Sequence, residues 1–198
     1  MRLFIGIGLP EECCHRIAAA ISPLRAKGLP VSWVAERNLH LTLKFLGEIP
    51  PGEADGLAGF MAEAARDIPP FEFRVEEGGG FPSLAAPRIL WIGIREPLEL
   101  VGKLHQNMEN TLSAAGFPRE GRPFHPHVTV GRIKGRVAPG WGGTFASAVS
   151  GTTFGIVFAA SYRLYESRLS PSGANYTVLR EVPFGGGPER SAERGAGG

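Results

Sequence analysis

The chain has little cysteine and no long hydrophobic run. Its two cysteines, Cys13 and Cys14, are adjacent, which excludes a disulfide framework and a cysteine-type zinc site. The apolar stretches fall well short of the roughly 20 residues that a membrane span requires. Residues 1–10 are too short and too broken in their apolar part for a secretory signal. We therefore expect a cytoplasmic protein that does not enter a membrane.

The chain also lacks a large excess of charge of either sign. Lys and Arg number 21 against 19 Asp and Glu, which gives a net charge of +2, and the basic residues are scattered. A protein that holds a long nucleic acid usually shows a denser basic stripe. The apolar content of 43% in 198 residues is typical of a globular protein that builds a core without metal or disulfides. This charge fits a small anionic ligand or one end of a nucleic acid.

Strands outnumber helices in the predicted secondary structure. Apolar periodicity predicts helices at 11–27, 53–66 and 98–115, and strands at 2–7, 32–34, 38–46, 71–75, 88–94, 127–133, 152–158, 161–170 and 175–182. The glycines at 78–80 predict a turn, and residues 135–143 predict a surface loop. We expect one domain over residues 1–184 and a disordered Gly-rich tail over residues 185–198.

The tetrapeptide His-x-Thr-x occurs twice, as His40-Leu41-Thr42-Leu43 and as His127-Val128-Thr129-Val130. Each copy lies in a β-prone run, where residues i and i+2 project from the same face of a strand. Strand–helix–strand–helix–strand recurs on both sides of about residue 85. This α+β pattern indicates two similar lobes, each with one motif strand beside a shared cleft.

Two imidazoles and two hydroxyls suit acid–base chemistry on a phosphate. The pKa of histidine is ordinarily about 6.5, so one imidazole can accept a proton while another donates one. The threonine hydroxyls can hold the non-bridging phosphate oxygens. No metal is needed if the leaving oxygen is protonated. A structural histidine on a strand is the common alternative for each single copy, and the repetition of the pair argues against it.

Three neighbouring residues leave alternatives open. On a straight strand Lys44 shares the face of His40. It either raises the positive potential at the cleft or is a solvated residue near the end of the strand. Arg132 falls on the face opposite His127 by simple alternation, and it reaches the cleft only if the strand bulges or ends first. We expect His125 to lie at the mouth of the cleft rather than to bind a metal, because no acidic residue or histidine lies nearby at a spacing that would complete a metal site.

The segments His40-Leu41-Thr42-Leu43-Lys44-Phe45-Leu46-Gly47 and Pro126-His127-Val128-Thr129-Val130-Gly131-Arg132 resemble the paired signatures of the 2H phosphoesterase superfamily. The closest resemblance is to its RNA 2′,3′-cyclic phosphodiesterase branch, also called 2′-5′ RNA ligase. Further similar segments are Arg2-Leu3-Phe4-Ile5-Gly6-Ile7, Pro87-Arg88-Ile89-Leu90-Trp91 and Leu164-Tyr165-Glu166-Ser167. The resemblance implies a bilobal fold in which two antiparallel sheets face a central cleft and helices pack outside.

The same resemblance implies hydrolysis of a terminal 2′,3′-cyclic phosphate on the 3′ end of RNA to a 2′-phosphate, without a cofactor. By that pattern His40 and His127 are catalytic, and Thr42, Thr129 and Arg132 bind the substrate phosphate. Some relatives also join 2′-5′ linkages reversibly. The sequence does not decide which histidine is the acid and which is the base, and we interpret His40 as the acid and His127 as the base. We expect the protein to be a monomer.

Two alternatives remain at this stage. One is a 2H-fold phosphodiesterase that acts on another small cyclic nucleotide or on a 2′-5′ nucleotide. The other is a non-catalytic module whose histidines only grip a nucleotide or RNA phosphate. A bell-shaped pH profile of turnover would favour catalysis.

Overall fold

The computed structural model describes residues 1–170, 173–186 and 190–191. In this part of the chain the helices are α1 (Glu11–Arg25), α2 (Pro51–Ala65), α3 (Glu99–Ala114) and α4 (Trp141–Val149). The strands are β1 (Arg2–Gly8), β2 (Val31–Trp33), β3 (His40–Glu48), β4 (Phe71–Phe81), β5 (Ile89–Arg95), β6 (His127–Ile133), β7 (Thr153–Ala159), β8 (Ser161–Ser170), β9 (Gly173–Pro183) and β10 (Arg190–Ser191). The predicted α+β class is confirmed.

The strands form one curled antiparallel sheet in the order β10-β9-β8-β1-β3-β6-β5-β4-β7, with β2 pairing beside β6. Strands β9, β8, β1 and β3 make one half, and β6, β5, β4 and β7 make the other. The halves meet where Leu41 of β3 pairs with Val128 of β6. In place of two separate sheets, the structure thus has one continuous antiparallel sheet whose halves are joined along the motif strands.

The core lies between one face of this sheet and the helices. Alternate residues of the strands are buried against α1 to α4, among them Ile5, Leu41 and Val128, each with no exposed surface. Burying alternate apolar side chains stabilises a strand register, because a slip by one residue would expose the whole set. The opposite face is therefore left for polar and catalytic side chains.

Two local predictions were wrong. Residues 78–80 lie inside β4 and not in a turn, and their glycines have a packing reason. A Cβ on Gly79 would lie 2.3 Å from the indole of Trp91, so only glycine lets that ring cover the backbone. The predicted loop 135–143 ends early because α4 begins at Trp141. Its Trp141 and Phe145 are buried, and their packing outweighs the weak helix propensity of the intervening glycines.

The tail prediction falls mostly on residues 187–189 and 192–198, which lie outside the described residues, so disorder there stays a prediction. Within the tail, Arg190 pairs with Glu181 of β9. None of the helices in the described ranges is long and apolar enough to cross a membrane.

Candidate active site

His40, Thr42, His127 and Thr129 lie on the same face of the sheet, which we call the cleft face. Leu41 pairs with its counterpart in the second motif, and both are buried on the core side. Because side chains alternate, the flanking histidine and threonine of each motif point to the cleft. Extending this antiparallel register by one residue in each direction places His40 opposite Thr129 and Thr42 opposite His127. The sequence prediction that the motifs converge therefore holds in the structure.

The backbone two residues upstream orients the imidazole of His40. Its Nδ1 lies 2.7 Å from the carbonyl oxygen of Asn38. A carbonyl only accepts, so Nδ1 carries the proton and Nε2 is the nitrogen left for chemistry. The hydroxyl of Thr42 lies 3.0 Å from Nε2 and donates to it when the ring is neutral. His40 thus presents one defined nitrogen to the cleft.

His127 is oriented in the same way. Its Nδ1 donates to the carbonyl oxygen of His125 over 2.6 Å, which again leaves Nε2 free. The ring of Phe81 meets His127 edge-on at 5.0 Å, and Trp91 lies 6.3 Å from it. On the other half, Phe4 lies 4.7 Å from the ring of His40. Each catalytic candidate is therefore held by one carbonyl and by aromatic neighbours.

Burial and charge lower the pKa of both histidines. Burial, together with the charges of His127 and Arg132, lowers the pKa of His40 to about 4, against the opposing hydrogen bond to Asn38. Burial also lowers the pKa of His127, with the His125 carbonyl opposing and the charges of His125 and Arg132 adding to the shift. The charge of His127 acts on His40 and the charge of Arg132 acts on both imidazoles, as expected for groups that share the cleft face.

A β-bulge carries Arg132 to the cleft face. Along β6 the partners are Leu90 with Gly131 and Trp91 with Thr129, so one residue between them is extra. Arg132 then pairs with Ile89 on the same face as Thr129, and its guanidinium is exposed. The bulge that Arg132 needs in order to reach the cleft face is therefore present, and its binding of phosphate stays a prediction.

The equivalent bulge in β3 has the opposite effect on Lys44. Ile5 pairs with Lys44 and Gly6 with Thr42, so alternation breaks between them and Lys44 turns to the core. Both sequence interpretations of Lys44, as a cleft cation and as a solvated residue, are wrong. The next residue on the cleft face is Phe45, whose side chain is 57% exposed.

In the core, Lys44 links the first motif strand to the segment that precedes the second. Its Nζ lies 2.5 Å from a carboxylate oxygen of Glu109 and donates to the carbonyl of Pro118 over 2.9 Å. The other Glu109 oxygen accepts the backbone N–H of Glu120 over 3.1 Å. Burial raises the pKa of the Glu109 carboxyl, but the bonds from Lys44 and Glu120 outweigh it and lower the pKa overall.

His125 is exposed, and its ring contacts Trp91 edge-on at 5.0 Å and lies 6.3 Å from the ring of His127. Its role at the mouth of the cleft stays a prediction. Over the described ranges, no three His, Cys, Asp or Glu side chains gather as a group that could hold a metal ion.

Three residues that lie near the site were not among the residues predicted from the sequence. Gly6 lies beneath His40, Asn38 orients it, and Tyr176 of β9 meets its ring edge-on at 5.4 Å. The amide of Asn38 also donates to the carbonyl of Ala174 over 2.6 Å, which ties β9 to the segment before His40. Asn38 stands two residues before the motif, as His125 does in the second copy, and that repetition was a detectable signal.

This chain is similar to known phosphoesterases over nearly its whole length. The family model described as LigT like Phosphoesterase matches residues 7–91. The RNA 2′,3′-cyclic phosphodiesterase of Thermotoga maritima is 34% identical, over 97% of this chain and 100% of that protein. The protein of that name from Thermus thermophilus is also 34% identical, over 100% of this chain and 97% of its own length.

Solved structures agree with this likeness. The protein TT0787 of Thermus thermophilus matches with a TM-score of 0.74 at 30% identity, covering 93% of this chain and 98% of that one. LigT of E. coli, solved in complex with 3′-AMP, matches with a TM-score of 0.71 at 28% identity, covering 92% and 97%. With its paired motifs on one cleft and relatives of this identity along its full length, the chain belongs to the LigT-like 2H phosphoesterases, in the branch of the RNA 2′,3′-cyclic phosphodiesterases.

Proposed function

We propose that this protein hydrolyses the terminal 2′,3′-cyclic phosphate of RNA to a 2′-phosphate. The observation that supports this most strongly is the crossed arrangement of the two motifs. Each imidazole keeps Nε2 clear of backbone partners on the cleft face, that of His40 being in contact with the Thr42 hydroxyl, and each ring lies opposite the threonine of the other motif. A phosphate between them meets a proton acceptor, a proton donor and two hydroxyls.

The chemistry then needs only one proton transfer at each histidine. One imidazole takes a proton from water as the water oxygen bonds to phosphorus. The bond from phosphorus to O3′ breaks, and the other imidazole gives its proton to O3′. The product is a 2′-phosphate with a free 3′-hydroxyl. A 5′-hydroxyl in place of water would give a 2′-5′ linkage by the same steps, which is the ligation direction.

Thr42, Thr129 and Arg132 hold the phosphate in this proposal. Hydroxyl donors and a guanidinium aimed at the non-bridging oxygens stabilise the charge that develops during attack. We keep His40 as the acid and His127 as the base. The substrate is the 3′ end of an RNA in the cytoplasm, and the protein acts as a monomer.

The test is phosphorus NMR of a 2′,3′-cyclic nucleotide and of a cyclic-ended RNA, each incubated with the protein and a chelator. We expect a 2′-phosphate product, and we expect His40→Ala and His127→Ala each to lower kcat/KM by about 10²–10⁴-fold, as loss of a general acid or base does. The matched control is His15→Ala, because His15 is an exposed histidine of α1. That variant should keep full activity.

Full activity in either motif variant would refute the proposal. Turnover of a 2′-5′ dinucleotide or another small cyclic nucleotide alone would support the other phosphodiesterase. Binding without turnover, and without dependence on pH, would support a non-catalytic module.

A further inference from the structure

Tyr176 is placed beside the catalytic candidates with its hydroxyl unused. Its ring meets Phe4 at 4.9 Å and His40 at 5.4 Å, both edge-on. Tyr162 donates its hydroxyl to the carbonyl oxygen of Met61, and burial raises the pKa of the Tyr165 hydroxyl while the guanidinium of Arg163 opposes that shift. Within the described ranges the hydroxyl of Tyr176 makes no hydrogen bond, and Tyr176 is the tyrosine whose ring meets His40 edge-on. A half-buried phenol with an open donor, facing a cleft, is suited to bind an anionic oxygen.

Arg2 lies on the same face, in the row of Tyr176. Leu3 pairs with Glu166 of β8, which places Arg2 opposite Ser167, and Ser167 pairs with Tyr176. Arg2 is exposed, and no described carboxylate lies within ion-pair distance of it. The nearest acidic residue in register, Glu48, instead has a carboxylate oxygen 3.6 Å from the N-terminal ammonium.

The arginines of β8 and β9, unlike Arg2, each lie near a carboxylate. Arg163 is paired with Glu181 at 3.3 Å and Arg168 with Glu166 at 3.0 Å, while Arg180 lies 3.2 Å from Asp55. Arg2 therefore keeps its charge available on the cleft face. An unpaired guanidinium is the side chain best suited to a phosphate.

The charges of Arg2 and Arg132 both act on the hydroxyl of Tyr176. Burial raises the pKa of Tyr176, and the two guanidiniums oppose that shift. The two arginines lie at different places on the cleft face, Arg132 on β6 just after the second motif and Arg2 at the start of β1, in the row of Tyr176. Four residues separate Gly6, which pairs with Thr42, from Arg2, or about 13 Å of strand at about 3.3 Å per residue. The second arginine is therefore displaced from the first along the open face.

We propose that Tyr176 and Arg2 form a second phosphate subsite, which binds the phosphodiester that joins the terminal nucleotide to the rest of the RNA strand. This inference rests on the proposed function, and it adds that the site distinguishes an RNA end from a mononucleotide. The first phosphate lies at the histidines, and the second is held on the way out of the cleft over β1.

The test compares two substrates that differ by this one phosphate, a 2′,3′-cyclic mononucleotide and a dinucleotide with a cyclic end. The quantity measured is the ratio of kcat/KM for the dinucleotide to kcat/KM for the mononucleotide. We expect Tyr176→Phe and Arg2→Gln each to lower this ratio about tenfold, the size expected for loss of one hydrogen bond to a charged group. Arg16→Gln, which removes the same charge from α1, should leave the ratio unchanged.

Salt gives an independent readout. For a longer cyclic-ended RNA, Arg2→Gln should reduce the slope of log(kcat/KM) against log[salt] by about 0.7, the value for one phosphate contact to a single strand. A ratio unchanged in both variants, or equal losses on both substrates, would overturn the subsite. If the wild-type protein turns over neither substrate, the proposed function itself fails, and that outcome is distinct from a failure of the subsite.

Discussion

Gly6 of β1 leaves room for the imidazole of His40 on the neighbouring strand. A Cβ on Gly6 would lie 3.3 Å from Cδ2 of His40 and 2.6 Å from the carbonyl oxygen of Leu41. The second distance is shorter than real Cβ contacts allow, and it involves backbone, which cannot swing aside. The catalytic strand therefore depends on a missing side chain in β1.

Gly6→Ala should displace β3 and reduce both stability and turnover. We expect the free energy of unfolding to fall by about 1–3 kcal/mol, as overpacking does. We expect kcat/KM to fall by at least tenfold, because His40 moves out of alignment. The matched control is Gly59→Ala in α2, where nothing lies within 4 Å of the added Cβ. That control should stabilise the helix by about 0.5–1 kcal/mol, and an equal loss in both variants would contradict the argument.

The pH dependence of turnover follows from the two lowered pKa values. The reactive free enzyme carries one proton on the histidine pair, so kcat/KM needs a pH between the two pKa values. With His40 at about 4 and His127 below its ordinary 6.5, kcat/KM should be greatest in the window from about pH 4 to 6.5. Above this window both imidazoles are neutral and no acid remains, and below it both are protonated and no base remains. Within it the lower pKa of His40 puts the shared proton mainly on His127, so the form in which His40 is the acid is the minor one. An optimum above pH 7.5, measured on a cyclic mononucleotide at constant ionic strength, would speak against this pair.

Lys44→Met should destabilise the fold without touching the cleft. It leaves the Glu109 carboxylate buried beside a thioether, and removing one partner of a buried ion pair costs about 3–5 kcal/mol. Chemical denaturation measures this loss. The double variant Lys44→Met, Glu109→Leu should recover most of it, because no charge is then left in the core. A single variant as stable as wild type would show that the pair is not needed.

Thr42→Val and Thr129→Val should each lower kcat by about 10²–10³-fold, the effect of losing one donor to a developing anion. Valine keeps the β-branched shape, so the strands should stay folded. Thr177→Val on β9 is the control, because this threonine is exposed on a strand away from the motifs. Unchanged turnover in both motif variants would exclude the threonines from phosphate binding.

Periodicity along the strands was enough to predict that the histidine and threonine of each motif share one face, because the residue between them, Leu41 or Val128, is buried on the other. That the two motifs meet came from their repetition and from the family resemblance. Periodicity failed at Lys44, where a bulge reverses the alternation, and no local residue type marks a bulge. A bulge of the same kind in β6 is the reason that strict alternation of side chains places Arg132 on the wrong face. The helix α4 was missed because its stability comes from Trp141 and Phe145 packing into the core, while its local sequence is rich in glycine.

Tyr176 shows a different limit of the sequence. It lies 136 residues after His40, and only the pairing of β8 with β9 and the hydrogen bond from Asn38 to Ala174 bring it alongside. Contacts of that separation depend on the closed fold. A single chain without its three-dimensional arrangement carries no pattern that joins them.

The two bulges also give the cleft unlike walls. At corresponding positions after each motif, one half exposes the hydrocarbon ring of Phe45 and the other exposes the cation of Arg132. The histidines and threonines between them repeat almost as an image related by a half-turn, but these flanking groups do not. A ligand with one apolar end and one anionic end therefore meets different side chains when its orientation is reversed. The reacting groups are nearly symmetric, but the cleft still distinguishes the two orientations of such a ligand.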